Sequence, residues 1–577
     1  MRVAHVVSLL ALSAAWVAAA PQTGNSSPGS RCTNLLNTDA KQLPSPATRF
    51  ESAVANAARA AQGEGPAVPA HCEVIGLIHE RVGFNSQRFA IRFHMRLPDD
   101  WNGRFFFEGG GGSNGNLGAA LGNLQGSQRR NALQLGYAVV SQDSGHDNTI
   151  NNDPNLNGTS VFAFDPQART DWGYNSYDQV TQTAKALIRI YYGRAPERSY
   201  YVGCSEGGRE GVLMSQKFPA YFDGILACAP GIRIPRAALT QAWNFQIWAA
   251  VAKAAGIYDR DGVPFVNKAL TDEDLALAAS AVLEACDTLD GAKDGMVLNF
   301  EGCSQALVHP KLAAVTCQGG KRASCLSQAQ VSALERIISG PRDANGEPLY
   351  SDWAWDAGFG GAASRGYFQG WRSWSIGDYE AASVSSIATA LVATSSAASS
   401  TPPEPVKAFG PDAARYLLNV DINTVMAKAT ATNRGTFPVS TWDLMNMGGT
   451  DLSAFRNRGG KLLIAHGVSD PIFSVKDSIA WFKSVNQANN GNASAFLRVF
   501  PVPGMNHCAG GPATDQFDAF AALVDWVEKS TAPERIVATA GNATPWPGRT
   551  RPLCLYPKHA QYKGSGNIED AASFECR

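Results

Sequence analysis

The chain has 577 residues, 45% of them hydrophobic, and its 49 basic and 50 acidic side chains leave a net charge of −1. That balance offers no electrostatic footprint for nucleic acid or an anionic membrane surface. The length exceeds one ordinary domain, so a core interrupted by a large insertion is expected, and no internal repeat is present.

Met1 to Ala20 joins Arg2 to an apolar stretch from Val6 and ends in small residues. This is the pattern of a secretory signal cleaved near Ala18-Ala19-Ala20. No cysteine follows to carry a lipid, and no later apolar run is long enough to span a bilayer. A secreted or periplasmic monomer is expected, without membrane or nucleic-acid partners. Eleven cysteines in an exported chain imply a disulfide framework with one thiol left over.

Arg104-Phe105-Phe106-Phe107 predicts a buried strand, and it runs into Glu108-Gly109-Gly110-Gly111-Gly112-Ser113-Asn114-Gly115. Four glycines let backbone N–H groups approach a bound molecule closely. A phosphate-cradling loop would end in Lys-Ser/Thr, which is absent here. A linker does not suit the end of so apolar a strand. The loop predicts an oxyanion donor at Gly112, with Gly111 beside it against the substrate.

Ser199-Tyr200-Tyr201-Val202 predicts a second strand, Gly203-Cys204-Ser205-Glu206-Gly207 a tight turn, and Arg209 to Phe218 a helix ended by Pro219. Gly-x-Ser-x-Gly alone is an ordinary Gly-Ser turn in a glycine-rich chain. Between a strand and a helix it becomes a nucleophile elbow that projects the Ser205 hydroxyl, with the Glu206 N–H as second oxyanion donor. Cys228 falls in the apolar run Gly224 to Ala229, where burial accounts for it.

Pro230-Gly231 breaks the pattern, and strand character returns near Lys461. We therefore expect a catalytic domain from residues 21–231 and 442–577 around a lid at 232–441. Within the lid, Cys286 to Met296 holds Asp287, Asp290 and Asp294 with Gly291 and Gly295. The spacing is not that of an EF-hand. On residues alone it is either an oxygen site for calcium or a solvated acidic turn. An aromatic-rich stretch follows from Trp353 to Trp374, then a Ser/Ala/Thr-rich stretch from Ser383 that closes on Thr401-Pro402-Pro403-Glu404-Pro405 and is expected to be partly mobile.

Lys461 to Gly467 predicts a strand, with Asp470 just past its carboxyl end, where open α/β sheets place their chemistry. Phe496 to Phe500 predicts the next strand, and the loop after it carries His507 and Cys508. The chain order Ser205, Asp470, His507 is that of α/β hydrolases, with Asp470 orienting His507 as general base. His466, at a strand end, is read as structural; Asp477 and Asp515 compete with Asp470 and are read as solvated surface. If Cys204 and Cys508 pair, one bridge ties the nucleophile's turn to the base's loop.

Nearly the whole mature chain resembles the tannase and feruloyl esterase family of α/β hydrolases. The likeness runs through Trp101 to Phe106, Ser144-Gly145-His146-Asp147-Asn148, Tyr174 to Gln179, Gly203 to Arg209 and Pro503 to Cys508. It implies a secreted serine esterase for small aromatic-acid esters, either a terephthalate monoester or the feruloyl and galloyl esters of plants. A non-catalytic binding protein of the same fold would have lost the serine or histidine. The resemblance further implies the pairs Cys32–Cys72, Cys204–Cys508, Cys286–Cys303, Cys317–Cys325 and Cys554–Cys576, leaving Cys228 free. It implies a structural calcium held by the Asp287, Asp290 and Asp294 side chains and the Ala292 and Met296 carbonyls, with no organic cofactor. Trp374 and Phe473 correspond to residues that stack on an aromatic acyl ring. Terephthalate-type members hold the substrate's free carboxylate with an arginine just before Thr-Pro-Pro-Glu-Pro. Here Ala381 to Ser400 contains no arginine, lysine or aromatic residue, and Arg372 beside Trp374 is the alternative cation.

Overall fold

The computed structural model describes residues 27–577 apart from 63–64, 127–128, 361–369, 378–398, 400, 409 and 434. Met1 to Ala20, expected to be a secretory signal, and most of the Ser/Ala/Thr-rich stretch lie outside the described residues.

Nine strands form one sheet: β1 (Thr48–Asn56), β2 (His71–Val82), β3 (Arg88–Pro98), β4 (Arg104–Glu108), β5 (Ala138–Gln142), β6 (Arg198–Cys204), β7 (Gly224–Cys228), β8 (Lys461–Gly467) and β9 (Leu497–Val502). Their order is β1-β2-β3-β5-β4-β6-β7-β8-β9. The first three strands and β5 pair antiparallel, whereas β5, β4, β6, β7, β8 and β9 pair parallel.

Parallel strands are covered on both faces, so their sequences are apolar throughout rather than alternating. Successive side chains still point to opposite faces. Phe105, Phe107, Tyr201, Ile225, Leu462 and Val499 enter one core cluster. Phe106, Tyr200, Leu226, Leu463 and Phe500 enter the other. Helices α1 (Ser176–Tyr192) and α2 (Glu206–Lys217) precede the insertion, with α2 packed on β6 and β7.

Between β7 and β8 no described residue joins this sheet. The chain leaves at Ile232 and comes back beside it, where the Met447 N–H donates to the Ile232 carbonyl at 2.7 Å. Among the helices of this segment are α3 (Ile234–Ala254), opened by Pro235 in its first turn, and α4 (Asp272–Cys286), opened by a capping box of Thr271 and Asp274. After β8 and β9 come α5 (Val475–Ala488) and α6 (Ala519–Lys529). A two-stranded ribbon, β10 (Arg535–Thr539) with β11 (Thr550–Cys554), and a second, β12 (Ala560–Tyr562) with β13 (Phe574–Cys576), close the chain.

Disulfides join Cys32–Cys72, Cys204–Cys508, Cys286–Cys303, Cys317–Cys325 and Cys554–Cys576. Cys228 is a free thiol in β7, and burial pushes it up to about 12. Such a framework belongs to an oxidising compartment. No helix among the described residues is long and apolar enough to cross a membrane.

Candidate active site

Ser205 sits where β6 turns into α2, with φ 64° and ψ −121°. A non-glycine residue rarely holds a positive φ, and such strain collects at functional turns. The flanking glycines are required by close approach. A Cβ on Gly203 would lie 2.7 Å from the Gly207 backbone, and one on Gly207 would lie 2.6 Å from the Gly110 carbonyl.

Two loops from the carboxyl ends of β8 and β9 meet this turn. His507 Nε2 lies 2.8 Å from Ser205 Oγ, and His507 Nδ1 lies 2.7 Å from Asp470 Oδ2. These three residues are spread over 302 positions of sequence yet form one hydrogen-bonded line. Cys204 and Cys508 bridge the same two loops, with Cα atoms 6.0 Å apart.

Asp470 is wholly buried, and the Ile472 and Phe473 N–H groups donate to its Oδ1 at 2.8 and 3.0 Å. Burial alone would raise its pKa. The charge of His507 and hydrogen bonds from His466 and His507 outweigh that and hold it well below the usual carboxylate range. His466 is itself buried, with its ring nitrogens 2.9 Å from Ser478 Oγ and from the Phe473 carbonyl. It braces the acid's loop and does not touch Ser205. Asp477 and Asp515 are not solvated surface as expected. Asp477 is buried against Arg233 because α5 turns its first residues inward, and half-buried Asp515 accepts the Gly510 N–H at 2.9 Å.

The glycine loop after β4 reaches the same turn, where the Gly207 N–H donates to the Gly110 carbonyl at 3.2 Å. Gly111 and Gly112 beyond it face open space: a Cβ on either would meet nothing within 4 Å, and Gly112 holds φ +63°. Glu206 is the first residue of α2, so its N–H belongs to the set a helix leaves without an intrahelical acceptor. Its side chain turns away from the solvent, buried against Arg209 at 2.7 Å.

Trp374 and Phe473 both set ring edges against His507, with centroids 5.8 and 5.6 Å away. Phe473 is buried and Trp374 half-buried. Arg372 is a different matter. It is 1% exposed, and its guanidinium donates to Asp272 Oδ1 at 2.8 Å and to the carbonyls of Asn267, Leu270 and Gly377. It is a fastener of the insertion, its guanidinium committed to these partners.

Sequence reasoning noticed the aromatic stretch but missed what it holds. Trp353 donates its indole N–H to the Asp470 carbonyl at 3.0 Å, and Trp371 to the Ser469 carbonyl at 3.0 Å. Buried Asp356 accepts from Ser469 Oγ at 2.6 Å and from the Gly504 N–H at 3.1 Å, joining the loops of the acid and the base. No spacing rule links residues 98 to 148 positions apart; only the two tryptophans flanking Asp356 mark the place.

The acidic turn lies elsewhere, packed against the C-terminal ribbons through Met296, Leu298 and Phe574. Arg551 pairs with Asp294, Arg549 donates to the Asp294 carbonyl, and Gln561 donates to the Asp290 carbonyl. Asp287, Asp290 and Asp294 are all buried. Burial, with the neighbouring carboxylates, pushes Asp290 up to about 7, and its Oδ2 has no hydrogen-bond partner. Among the described residues, no three His, Cys, Asp or Glu side chains are already gathered as a metal cluster. The donor set is nevertheless hard oxygen with an orphaned carboxylate oxygen, which fits calcium chemistry.

The fold and the esterase-type site together define a carboxylic ester hydrolase built on the α/β-hydrolase sheet. Residues 72–577 match the family model described as tannase and feruloyl esterase, and the chain belongs to that family. It is 45% identical over 551 residues to the mono(2-hydroxyethyl) terephthalate hydrolase of Piscinibacter sakaiensis, covering 92% of this chain and 89% of that one. It is 28% identical to a probable feruloyl esterase B of Aspergillus clavatus over 84% of this chain and 83% of that one. The crystal structure of feruloyl esterase B from Aspergillus oryzae superposes with a TM-score of 0.71 at 22% identity, covering 96% of this chain and all of that one.

Proposed function

We propose that this enzyme cleaves small esters of aromatic carboxylic acids by an acyl-enzyme mechanism on Ser205. The observation that carries this reading is the unbroken line Ser205–His507–Asp470 at 2.8 and 2.7 Å, anchored on a strained turn. The Asp470 carboxylate accepts a hydrogen bond from the Nδ1–H of His507, which leaves Nε2 free to take the hydroxyl proton of Ser205. The serine oxygen then attacks the ester carbon. The Gly112 and Glu206 N–H groups receive the developing oxyanion, with Gly111 leaving room beside it. His507 passes its proton to the departing alcohol. A water molecule, activated by the same imidazole, releases the acid and restores the serine.

Trp374 and Phe473 beside His507 support an aromatic acyl group, since rings pack well edge to face. The likeness to a hydrolase named for a terephthalate monoester supports the same class. Within that class, neutral aromatic esters of the feruloyl or galloyl kind are favoured, because Arg372 is fully engaged and Ala381 to Ser400 offers no cation.

Residues 232–441 serve as a lid over the site, fastened through Trp353, Asp356 and Trp371. Calcium, when bound, would supply charge neutralisation to the acidic turn, and Asp287, Asp290 and Asp294 would hold it with the Ala292 and Met296 carbonyls. The enzyme is exported, in keeping with its N-terminal leader pattern and disulfides. Hydrolysis of p-nitrophenyl benzoate tests the central reading. Ser205→Ala and His507→Ala should each leave no more than a few per cent of turnover while the chain stays folded; more than that in either variant rejects it.

A further inference from the structure

Glu210 is wholly buried one turn into α2, and nothing in the reaction just described uses it. A buried carboxylate is costly unless its oxygens are satisfied, and two of the three donors that satisfy this one lie on the same loop. The Gly110 N–H reaches its Oε2 at 3.1 Å, and the Asn114 Nδ2 group reaches its Oε1 at 2.7 Å. The third donor is the Tyr201 hydroxyl, from β6. Gly110 and Asn114 bracket Gly111 and Gly112, the open tip of the oxyanion loop. The Gly207 N–H also donates to the Gly110 carbonyl at 3.2 Å, and the Asn114 N–H donates to the Gly111 carbonyl at 2.9 Å. One carboxylate on the nucleophile's helix thus clamps both ends of the glycine loop that touches the nucleophile's turn at Gly207.

We infer that Glu210 is a positioning residue that sets the oxyanion donor of Gly112 relative to Ser205, an inference resting on the hydrolase reading above. Glycine at four successive positions gives this loop no side-chain packing of its own, so its placement must come from outside. The clamp extends outward. Asn114 also donates to Ser144, and Ser144 Oγ lies 3.2 Å from the Tyr177 hydroxyl, which accepts from Arg209 at 3.1 Å. Ser144 opens the Ser-Gly-His-Asp-Asn motif, which had no role in the chemistry; here its first residue backs the clamp.

The experiment compares Glu210→Gln, Asn114→Ala and Tyr201→Phe, reading kcat and KM on p-nitrophenyl benzoate, inhibition by phenylboronic acid as a tetrahedral mimic, and thermal stability. Glutamine keeps the shape but presents an amide N–H₂ to one of the two loop donors, Gly110 or Asn114. Glu210→Gln should lower kcat about 10- to 100-fold, weaken phenylboronic acid by a similar factor and leave KM within about threefold, as loss of oxyanion stabilisation does. Asn114→Ala should lower kcat about tenfold, whereas Tyr201→Phe, which leaves both loop contacts in place, should stay within about threefold. If Glu210→Gln does not fold, the contrast between Asn114→Ala and Tyr201→Phe decides. A folded Glu210→Gln with wild-type kcat, or equal losses in Asn114→Ala and Tyr201→Phe, overturns the assignment. Turnover by Ser205→Ala would instead reject the hydrolase reading and is scored separately.

Discussion

The indole N–H of Trp353 donates to the backbone carbonyl of Asp470 at 3.0 Å, so a residue of the insertion holds the loop of the proposed catalytic acid. Both groups are buried, and removing the donor leaves that carbonyl unsatisfied. Trp353→Phe keeps most of the ring volume and should cost about 1–3 kcal/mol of stability. It should also lower kcat on p-nitrophenyl benzoate, since small displacements of Asp470 pass directly to His507. Urea unfolding together with steady-state kinetics checks both; unchanged kcat with reduced stability would confine Trp353 to a packing role.

The bridge Cys204–Cys508 closes a separation of 304 residues around the site. Cys204→Ala with Cys508→Ala should lower stability by about 2–4 kcal/mol, the usual worth of a disulfide. It should lower kcat more than KM, because a displacement near 1 Å between nucleophile and base costs about 100-fold in rate. Removing Cys317–Cys325 in the same way should leave kcat unchanged, which makes that pair the control.

Asp470 gives a signed pH dependence. Its folded pKa lies below its unfolded value of about 3.9, so its contribution to stability is fully present above that pH. It is lost as pH falls below about 4 toward the folded value. The stability gap between wild type and Asp470→Asn, measured by urea unfolding, should therefore be widest near neutrality and narrow from pH 4 to pH 2.5. A gap that widens on acidification has the wrong sign and would show that Asp470 is protonated in the folded enzyme.

The acidic turn predicts a metal-dependent stability. A ligand at 100 times its Kd adds about 2.7 kcal/mol to the folded state. Chelation should lower the melting temperature, calcium should restore it, and Asp290→Ala should abolish the response. Because the turn is bound to the C-terminal ribbons through Arg549, Arg551 and Gln561, protection from hydrogen exchange should fall first around β11 and β12. Calcium-free protein of unaltered stability after chelation would remove the metal from the account.

The strands and the alignment of Ser205, His507 and Asp470 were legible because their signals are local in sequence. An apolar run ending in Gly-x-Ser-x-Gly, or an Asp three residues past Gly467, carries its context with it. Strand boundaries shifted by only a residue or two, as at Leu497–Val502, since ladder pairing and not side-chain pattern ends a strand. Asp477 was misread because its partner, Arg233, lies 244 positions away and nothing nearby in sequence announces the pair. Asp356 and Glu210 were passed over for the same reason: one is defined by two loops it joins, the other by a glycine loop 100 residues upstream. Arg372 looked available from its place beside Trp374, but only the fold shows its guanidinium spent on Asp272 and three carbonyls.

That engagement decides the final prediction, which concerns the choice of acyl group. A second carboxylate on the substrate gains from a charge-assisted hydrogen bond, worth about 1.5–3 kcal/mol, only if a cation is within reach. Ala381 to Ser400 supplies none, and Arg372 is buried with its donors committed. The ratio of kcat/KM for mono(2-hydroxyethyl) terephthalate over methyl ferulate or methyl benzoate should therefore be near or below unity. Arg372→Ala should lower stability, because it strands Asp272 and three carbonyls, while leaving that ratio within about twofold of wild type. Introducing arginine between Ser383 and Thr394 should raise the ratio about tenfold, if the added cation meets the carboxylate. A wild-type enzyme that strongly prefers the terephthalate monoester, and loses the preference in Arg372→Ala, would show that the guanidinium exchanges its buried partners for substrate and that the neutral-ester reading is wrong.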